Sequence, residues 1–268
     1  MFVFCFFSFS APGNVTITIP TELALLTNLK VLSISHVDLV GTVPTELGQL
    51  SHLNILELSR STFLTTDSLG LTGTIPTQLG SLVRLTKLRV SDNSIEGTIP
   101  SQIGQLTQLN DCTLISNRLT GIIPTEIGTL TQLTRLDLDG NILVGTIPTE
   151  IGTLLHLRDL ALDNNYLSGP IPSEIGHLTA LEILLVYSNV LNETIPTELA
   201  LLSNLSHIYL FENCLTGSVD EIICRSTFHP TITSRGFQLE VDCNLVNCTC
   251  CTVCYNASSS SCPALIIK

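Results

Sequence analysis

The sequence predicts an α/β solenoid, in which short parallel strands stack coil upon coil with helical turns opposite. Three observations carry that prediction. Nearly the same ten residues recur: GTIPSQIGQL from Gly97, GIIPTEIGTL from Gly121 and GTIPTEIGTL from Gly145. Between the copies runs an LxL segment with the period of two that a strand requires. An Asn, a Gly and an Ile-Pro pair then follow in constant order. One 24-residue coil cannot bury its own leucines. A stack buries them on both sides, so the repeat means one core shared by all coils.

The prolines of the Ile/Val-Pro pairs mark the coils: Pro20, Pro44, Pro76, Pro100, Pro124, Pro148, Pro172 and Pro196. Every step is 24 residues except that from Pro44 to Pro76, which is 32. One further step reaches Asp220 in GSVDEIIC, a decayed copy. This makes about nine coils and, at ~4.8 Å per strand, a sheet roughly 40 Å long.

The aligned copies read LxxLxLxxNxLxGxIPxxIGxL, complete at Leu133, Leu136, Leu138, Asn141, Leu143, Gly145, Ile147 and Pro148. The leucines of the strand point into the stack and the residues between them point out. Asn93, Asn117, Asn141, Asn165, Asn189 and Asn213 stand where the coil turns, and an Asn there satisfies backbone groups that the bend removes from any ladder. The Gly suits a positive-φ bend. The Pro ends the extended run and opens a helical turn, where Thr-Glu is expected to supply a hydroxyl cap and a carboxylate.

This consensus resembles the plant-type leucine-rich repeat over about Gly13 to Cys224, and its LxGxIP segment is specific to that class. The resemblance implies a right-handed, curved solenoid with a parallel sheet on the concave side. It is similar to receptor-like kinase ectodomains and secreted polygalacturonase-inhibiting proteins, which bind partners and do not catalyse. Two departures stand out. The cysteine-bearing N-terminal cap of plant members is not recognisable, and neither a kinase domain nor a full membrane span follows. The C-terminal run CNLVNCTCCTVC is similar to the cysteine-rich end of secreted leucine-rich-repeat proteins of diatom-type algae.

Composition agrees. The 268 residues are 44% hydrophobic and 13% charged, with no Trp, so a large aliphatic core forms. The net charge of −12 disfavours nucleic acid and anionic membrane surfaces as partners. No apolar run reaches the roughly 18–20 residues of a membrane span. Residues 1–12, opening MFVFCFFSF, read as a signal peptide truncated before its basic start. A wrongly assigned start and a plain hydrophobic terminus are the alternatives. Residues 13–223 read as the solenoid and 224–268 as a cap and tail.

Of ten cysteines, Cys112 takes a strand leucine position, as a small buried hydrophobe would. Cys214, Cys224, Cys243, Cys248, Cys250, Cys251, Cys254 and Cys262 crowd the C-terminal end. A solenoid end exposes core and needs a cap, and a segment poor in leucine is expected to be held by disulfides. Their pairing is open. The alternative is a metal knuckle around Cys251-x2-Cys254. Sequons at Asn14, Asn192 and Asn204 are the expected glycosylation sites and fit a secretory route. Further sequons lie at Asn247 and Asn256.

Function in such an architecture is expected on the outward positions of the strands. One column, Lys87, Asp111, Arg135 and Asp159, alternates in sign and reads as a solvated salt ladder. The next two place Asp137, Asp139 and Asp163 in the middle, and Leu185, Tyr187, Tyr209 and Phe211 toward the C-terminal end. Like charges and apolar rings here have no folding role. They are the expected ligand site, for a partner with a cationic or hydroxyl-rich part and an apolar part. The alternative is that the cap folds over Tyr209 and Phe211. The eight-residue insertion between Ser61 and Gly70, with Phe63 and Leu64 at its tip, reads as a tolerated loop or a second contact.

No nucleophile elbow, P-loop, kinase signature or HExxH is present, so no enzyme and no cofactor are expected. The Asp cluster lacks a calcium loop. A last reading concerns two hydroxyl columns. One contains Thr21, Thr45, Thr77, Ser101, Thr125, Thr149, Ser173 and Thr197; the other contains Thr42, Thr74, Thr98, Thr146 and Thr194, interrupted at Ile122 and Pro170. Such a lattice matches ordered water, so ice binding is a minor alternative. The main expectation is a secreted or cell-surface module that binds a protein, a peptide or a polysaccharide. A structural or adhesive wall protein and an incomplete receptor ectodomain are the alternatives, with membrane attachment only through sequence outside this chain.

Overall fold

The computed structural model describes residues 6–9, 16–60, 70–219, 238–242, 246–247 and 253–255. Every pairing between these strands is parallel. The long sheet runs in order through Phe6–Phe9, Val31–Thr42, Ile55–Arg60, Lys87–Arg89, Asp111–Thr113, Arg135–Asp137, Asp159–Ala161, Ile183–Leu185, His207–Tyr209, Gln238–Asp242 and Val253–Tyr255. Each coil therefore adds one strand beside the last. The sheet continues past residue 223, and its first strand comes from the apolar N-terminal segment.

Leu136 pairs in register with Leu160, and Leu160 with Leu184, and all three are fully buried. They belong to one core that extends from Ile19 to Val246. Truncating any such leucine to Ala removes buried methyls from a tightly packed site and costs about 2–5 kcal/mol. Cys112 lies in the same row beside Leu136, and burial pushes its thiol up to about 12, so it packs as a hydrophobe.

Opposite the sheet, every described helical turn is a short 3-10 turn, as at Thr125–Thr129, Thr149–Thr153 and Ser173–His177. The expected hydroxyl caps do not form. In each turn the N-cap position is the Pro itself, with no side-chain cap. The following Thr is already inside the turn, so its hydroxyl donates to the neighbouring Glu, as Thr149 does to Glu150 at 3.4 Å. A different hydroxyl ties the turns together: Thr153 donates to the Gly128 carbonyl at 2.6 Å and to its own Glu150 carbonyl at 2.7 Å. Gly128 permits this approach, since a Cβ there would stand 2.7 Å from Glu150 Cβ.

The Asn ladder forms as expected. Asn165 Oδ1 accepts from the Leu143 amide at 3.0 Å, while Nδ2 donates to the carbonyls of Leu138, Leu162 and Asp163. Asn117, Asn141, Asn189 and Asn213 repeat the pattern. Each buried amide thus serves two coils, which is how the bend stays satisfied away from water.

Cys214 is disulfide-bonded. The other cysteines of the C-terminal set lie outside the described residues, apart from the backbone of Cys254 in the strand Val253–Tyr255. The insertion tip at Phe63 and Leu64 and the sequon at Asn14 also lie outside them. No helix among the described residues is long and apolar enough to cross a membrane.

Candidate functional site

The outward positions of the central strands form a continuous surface. The salt ladder is present but partly diagonal. Arg135 meets Asp159 directly at 2.5 Å, whereas Asp111 is held by Arg89, two residues along the next strand, at 2.6 Å and 3.1 Å. Arg89 also stands 3.8 Å from Glu57. Those cations are thereby committed before the acidic cluster begins.

The cluster itself is held together by Asn164, a residue that the strand pattern did not single out. Its Nδ2 donates to Asp139 Oδ1 at 2.9 Å and to Asp163 Oδ2 at 2.9 Å, and lies 3.4 Å from the Tyr187 hydroxyl. Asn164 reaches all three because its backbone is left-handed, with φ of +52°. Asp92, Ser116, Gly140, Ser188 and Glu212 share that conformation one residue before the next turn position or ladder Asn. Asn tolerates it better than most residues. The one sequence signal for Asn164 is an Asn at this column.

Asp137 joins the cluster through its neighbour: the Asp139 amide donates to Asp137 Oδ1 at 3.4 Å. Burial pushes the Asp137 carboxyl up to about 6, opposed by the hydrogen bond from the Asp139 amide and assisted by the Asp139 charge. Burial pushes Asp163 further, up to about 7, with Asp139 again adding and the Tyr187 hydroxyl opposing. The same environment pushes the Tyr187 phenol up to about 12, first by burial and then by the Asp163 carboxyl. Asp163 is only 2% exposed, and its Oδ1 has no hydrogen-bond partner. No group of three or more His, Cys, Asp or Glu among the described residues is arranged to hold a metal ion.

Beyond Asp163 the surface turns aromatic. Tyr187 stacks on Phe211 with centroids 4.6 Å apart and planes 13° apart. Tyr209 tilts against both at 6.2 Å, and His207 meets Tyr209 edge-on. Leu185 pairs in register with Tyr209 on the neighbouring strand. All of Leu185, Tyr187, Tyr209 and Phe211 are half-buried. The strand Gln238–Asp242 lies beside Tyr209 in the sheet, and the Tyr209 hydroxyl bonds to Gln238. The structure thus brings all seven expected site residues into one strip, acidic at one end and aromatic at the other.

The flank is different. Both hydroxyl columns are exposed, and shallow grooves lie between them. One of ≈ 430 Å³ is lined by Thr146, Thr149, Pro172, Ser173 and Thr194. Asn192 and Asn204 are exposed on the solenoid, and Asn204 Nδ2 donates to the Thr179 carbonyl at 2.8 Å.

Comparison with known proteins accords with this geometry. Family models described as leucine rich repeat match residues 83–143 and 156–178. No curated protein sequence matches the chain. Among solved structures, the leucine-rich-repeat ectodomain of the Arabidopsis thaliana membrane receptor kinase GASSHO1/SCHENGEN3, in complex with CASPARIAN STRIP INTEGRITY FACTOR 2, is 30% identical with a TM-score of 0.64, over 80% of this chain and 30% of that one. The Arabidopsis receptor kinase HAESA, in complex with the peptide hormone IDA and the co-receptor SERK1, is 31% identical with a TM-score of 0.65, over 76% and 37%. A plant ice-binding protein is 27% identical with a TM-score of 0.56, over 70% and 66%. The chain spans about a third of the two receptor ectodomains. Its periodic core, parallel sheet and Asn ladder, together with these matches, are those of a leucine-rich-repeat solenoid similar to the plant receptor ectodomains.

Proposed function

We propose that the concave sheet is a docking surface for an extracellular peptide or protein segment, and that the chain binds and does not catalyse. The observation that carries this is the stacked pair Tyr187 and Phe211, half-exposed on a sheet face beside the acidic cluster. Rings presented this way give large contact area with few rotamers to freeze. Their stacking does not need solvent exposure, so a purely structural role leaves the exposed half unexplained. The similar receptor kinase HAESA carries the peptide hormone IDA in its complex, which supports a peptide ahead of a polysaccharide. The same likeness and disulfide-bonded Cys214 support a secreted or cell-surface location.

The test is selection of a displayed peptide library on the immobilised chain. Enriched peptides are expected to lose binding to Tyr187→Ala and Phe211→Ala, while the melting temperature stays within about 2 °C, as a surface change predicts. A large drop in melting with no enriched peptide would instead make these rings structural.

The flank favours a second reading, ice binding. Thr42 and Thr45, Thr74 and Thr77, Thr146 and Thr149, and Thr194 and Thr197 repeat a T-x-x-T pair with exposed side chains. The second member of each pair does not cap its turn, although its hydroxyl donates to the neighbouring Glu or Gln. The likeness to a plant ice-binding protein points the same way. Ile122 and Pro170 interrupt the first column, and a Glu stands beside many of the second. Recrystallisation inhibition abolished by Thr146→Lys would establish this reading; an inactive wild-type chain removes it.

A further inference from the structure

This inference rests on the concave-face reading and assigns its ligand chemistry. Asp139 and Asp163 face one another across a single donor, the Asn164 amide, at 2.9 Å on each side. No cation pairs with either among the described residues: Arg135 is taken by Asp159 and Arg89 by Asp111. Asp163 Oδ1 is buried and unpartnered. The Asn164 amide and the Tyr187 hydroxyl are the neutral donors here, and burial keeps Asp163 partly neutral near pH 7, so a cation fitted between the two groups would fill the remaining acceptor capacity and draw out the Asp163 proton. In the same column, on the next two strands, stand Tyr187 and Phe211.

We propose that the Asp139–Asp163 slot takes the guanidinium of a peptide arginine, and that the Tyr187–Phe211 pair takes an apolar side chain three residues away. From the middle of the slot to the middle of the aromatic pair is two strand steps, about 9.6 Å at ~4.8 Å per step. A polyproline II peptide advances ~3.1 Å per residue with three residues per turn, so side chains i and i+3 lie on one face about 9.3 Å apart. A β-strand places i and i+2 on one face at only about 6.6 Å, and i and i+4 at about 13 Å, and neither fits. The ligand is therefore an extended, proline-compatible segment lying across the strands. Arginine suits the slot better than lysine because its planar fork engages two carboxyl oxygens and is weakly hydrated. Its flat face also stacks on Tyr187. The net charge of −12 draws such a ligand in.

The probe is a proline-rich octapeptide carrying Arg at one position and Leu three residues on, titrated calorimetrically against the full chain at neutral pH. It is expected to bind. Replacing Arg by citrulline, its neutral isostere, weakens binding at least about ten-fold. Shifting Leu by one residue weakens it several-fold. Asp139→Asn reproduces the citrulline loss and adds nothing to it, a coupling that a general structural defect would not produce. Equal binding of the citrulline peptide, or no binding of the parent peptide at about 1 mM, overturns the slot. If that happens while Tyr187→Ala still abolishes capture of library peptides, the concave-face reading survives. A parent peptide that binds Tyr187→Ala unchanged overturns the concave-face reading. A neutral oligosaccharide whose binding needs Tyr187 overturns the peptide assignment and leaves the surface.

Discussion

Asn141 reaches back one coil to accept a hydrogen bond from the Leu119 amide at 3.1 Å, and its own Nδ2 donates at 3.0 Å to the carbonyl of Leu114. Both partners are buried, so neither has water to turn to. Asn141→Ala leaves an amide and carbonyls unsatisfied at once. The expected loss is about 3 kcal/mol in urea unfolding, since each orphaned buried group costs ~1–3 kcal/mol. A loss below about 1 kcal/mol would mean that solvent reaches the ladder.

Gly121 has a φ of +75°, and a Cβ there would stand 2.8 Å from Thr98 Cγ2 on the preceding coil. Gly121→Ala meets both a backbone and a steric penalty, together about 2 kcal/mol. Thr98→Ser removes the offending methyl. The double variant should recover the steric share and keep the backbone share, which a double-mutant cycle on thermal unfolding resolves.

Arg89 and Arg158 test how far an ion pair matters here. Arg89 holds Asp111, whose side chain is 11% exposed; Arg158 holds Glu182, whose side chain is 46% exposed. Arg89→Ala strands a nearly buried carboxylate and should cost about 1–2 kcal/mol. Arg158→Ala should cost under about 0.5 kcal/mol. Equal effects on the denaturation midpoint would contradict this ordering.

Stability should fall as pH rises. Asp163 sits at about 7 in the folded chain, because burial favours its neutral form, against ~3.9 for an exposed Asp. Between these values the folded state binds more protons than the unfolded state. Its stabilising share is thus complete below about pH 4, is lost as pH rises to about 7, and stays lost above. Asp137, raised to about 6, adds to the lower part of the window. The groups that face them are Asp139, Arg135, Asp111, Asn164 and Tyr187. Asp163→Asn should flatten the upper part of the profile and stabilise the chain by about 1–2 kcal/mol at pH 8. Melting curves from pH 4 to pH 8 decide it; an unchanged profile in Asp163→Asn assigns the slope elsewhere.

The strip from Asp137 to Phe211 was legible residue by residue, because a period of two dictates which strand positions face out and a 24-residue step dictates which of them are neighbours. Its linkages were not. Asp111 was expected opposite Lys87 and Arg135, yet Arg89 takes it across the diagonal, because a long arginine side chain reaches past its own row. The Thr after each Pro was expected to cap a turn. It does not, because the Pro already occupies the capping position, a matter of one residue that element boundaries in sequence do not resolve.

By itself, then, the sequence determined the coil, its stacking, the Asn ladder, the positive-φ glycines and the composition of the outward columns. All of these follow from local chemistry repeated at a constant step. Only the tertiary structure decided which carboxyls share Asn164, which arginines are already paired, which rings stack, and that the sheet runs on through Gln238–Asp242. Those outcomes depend on side chains from different coils reaching a common point, and distance between coils is not written in the order of residues along the chain.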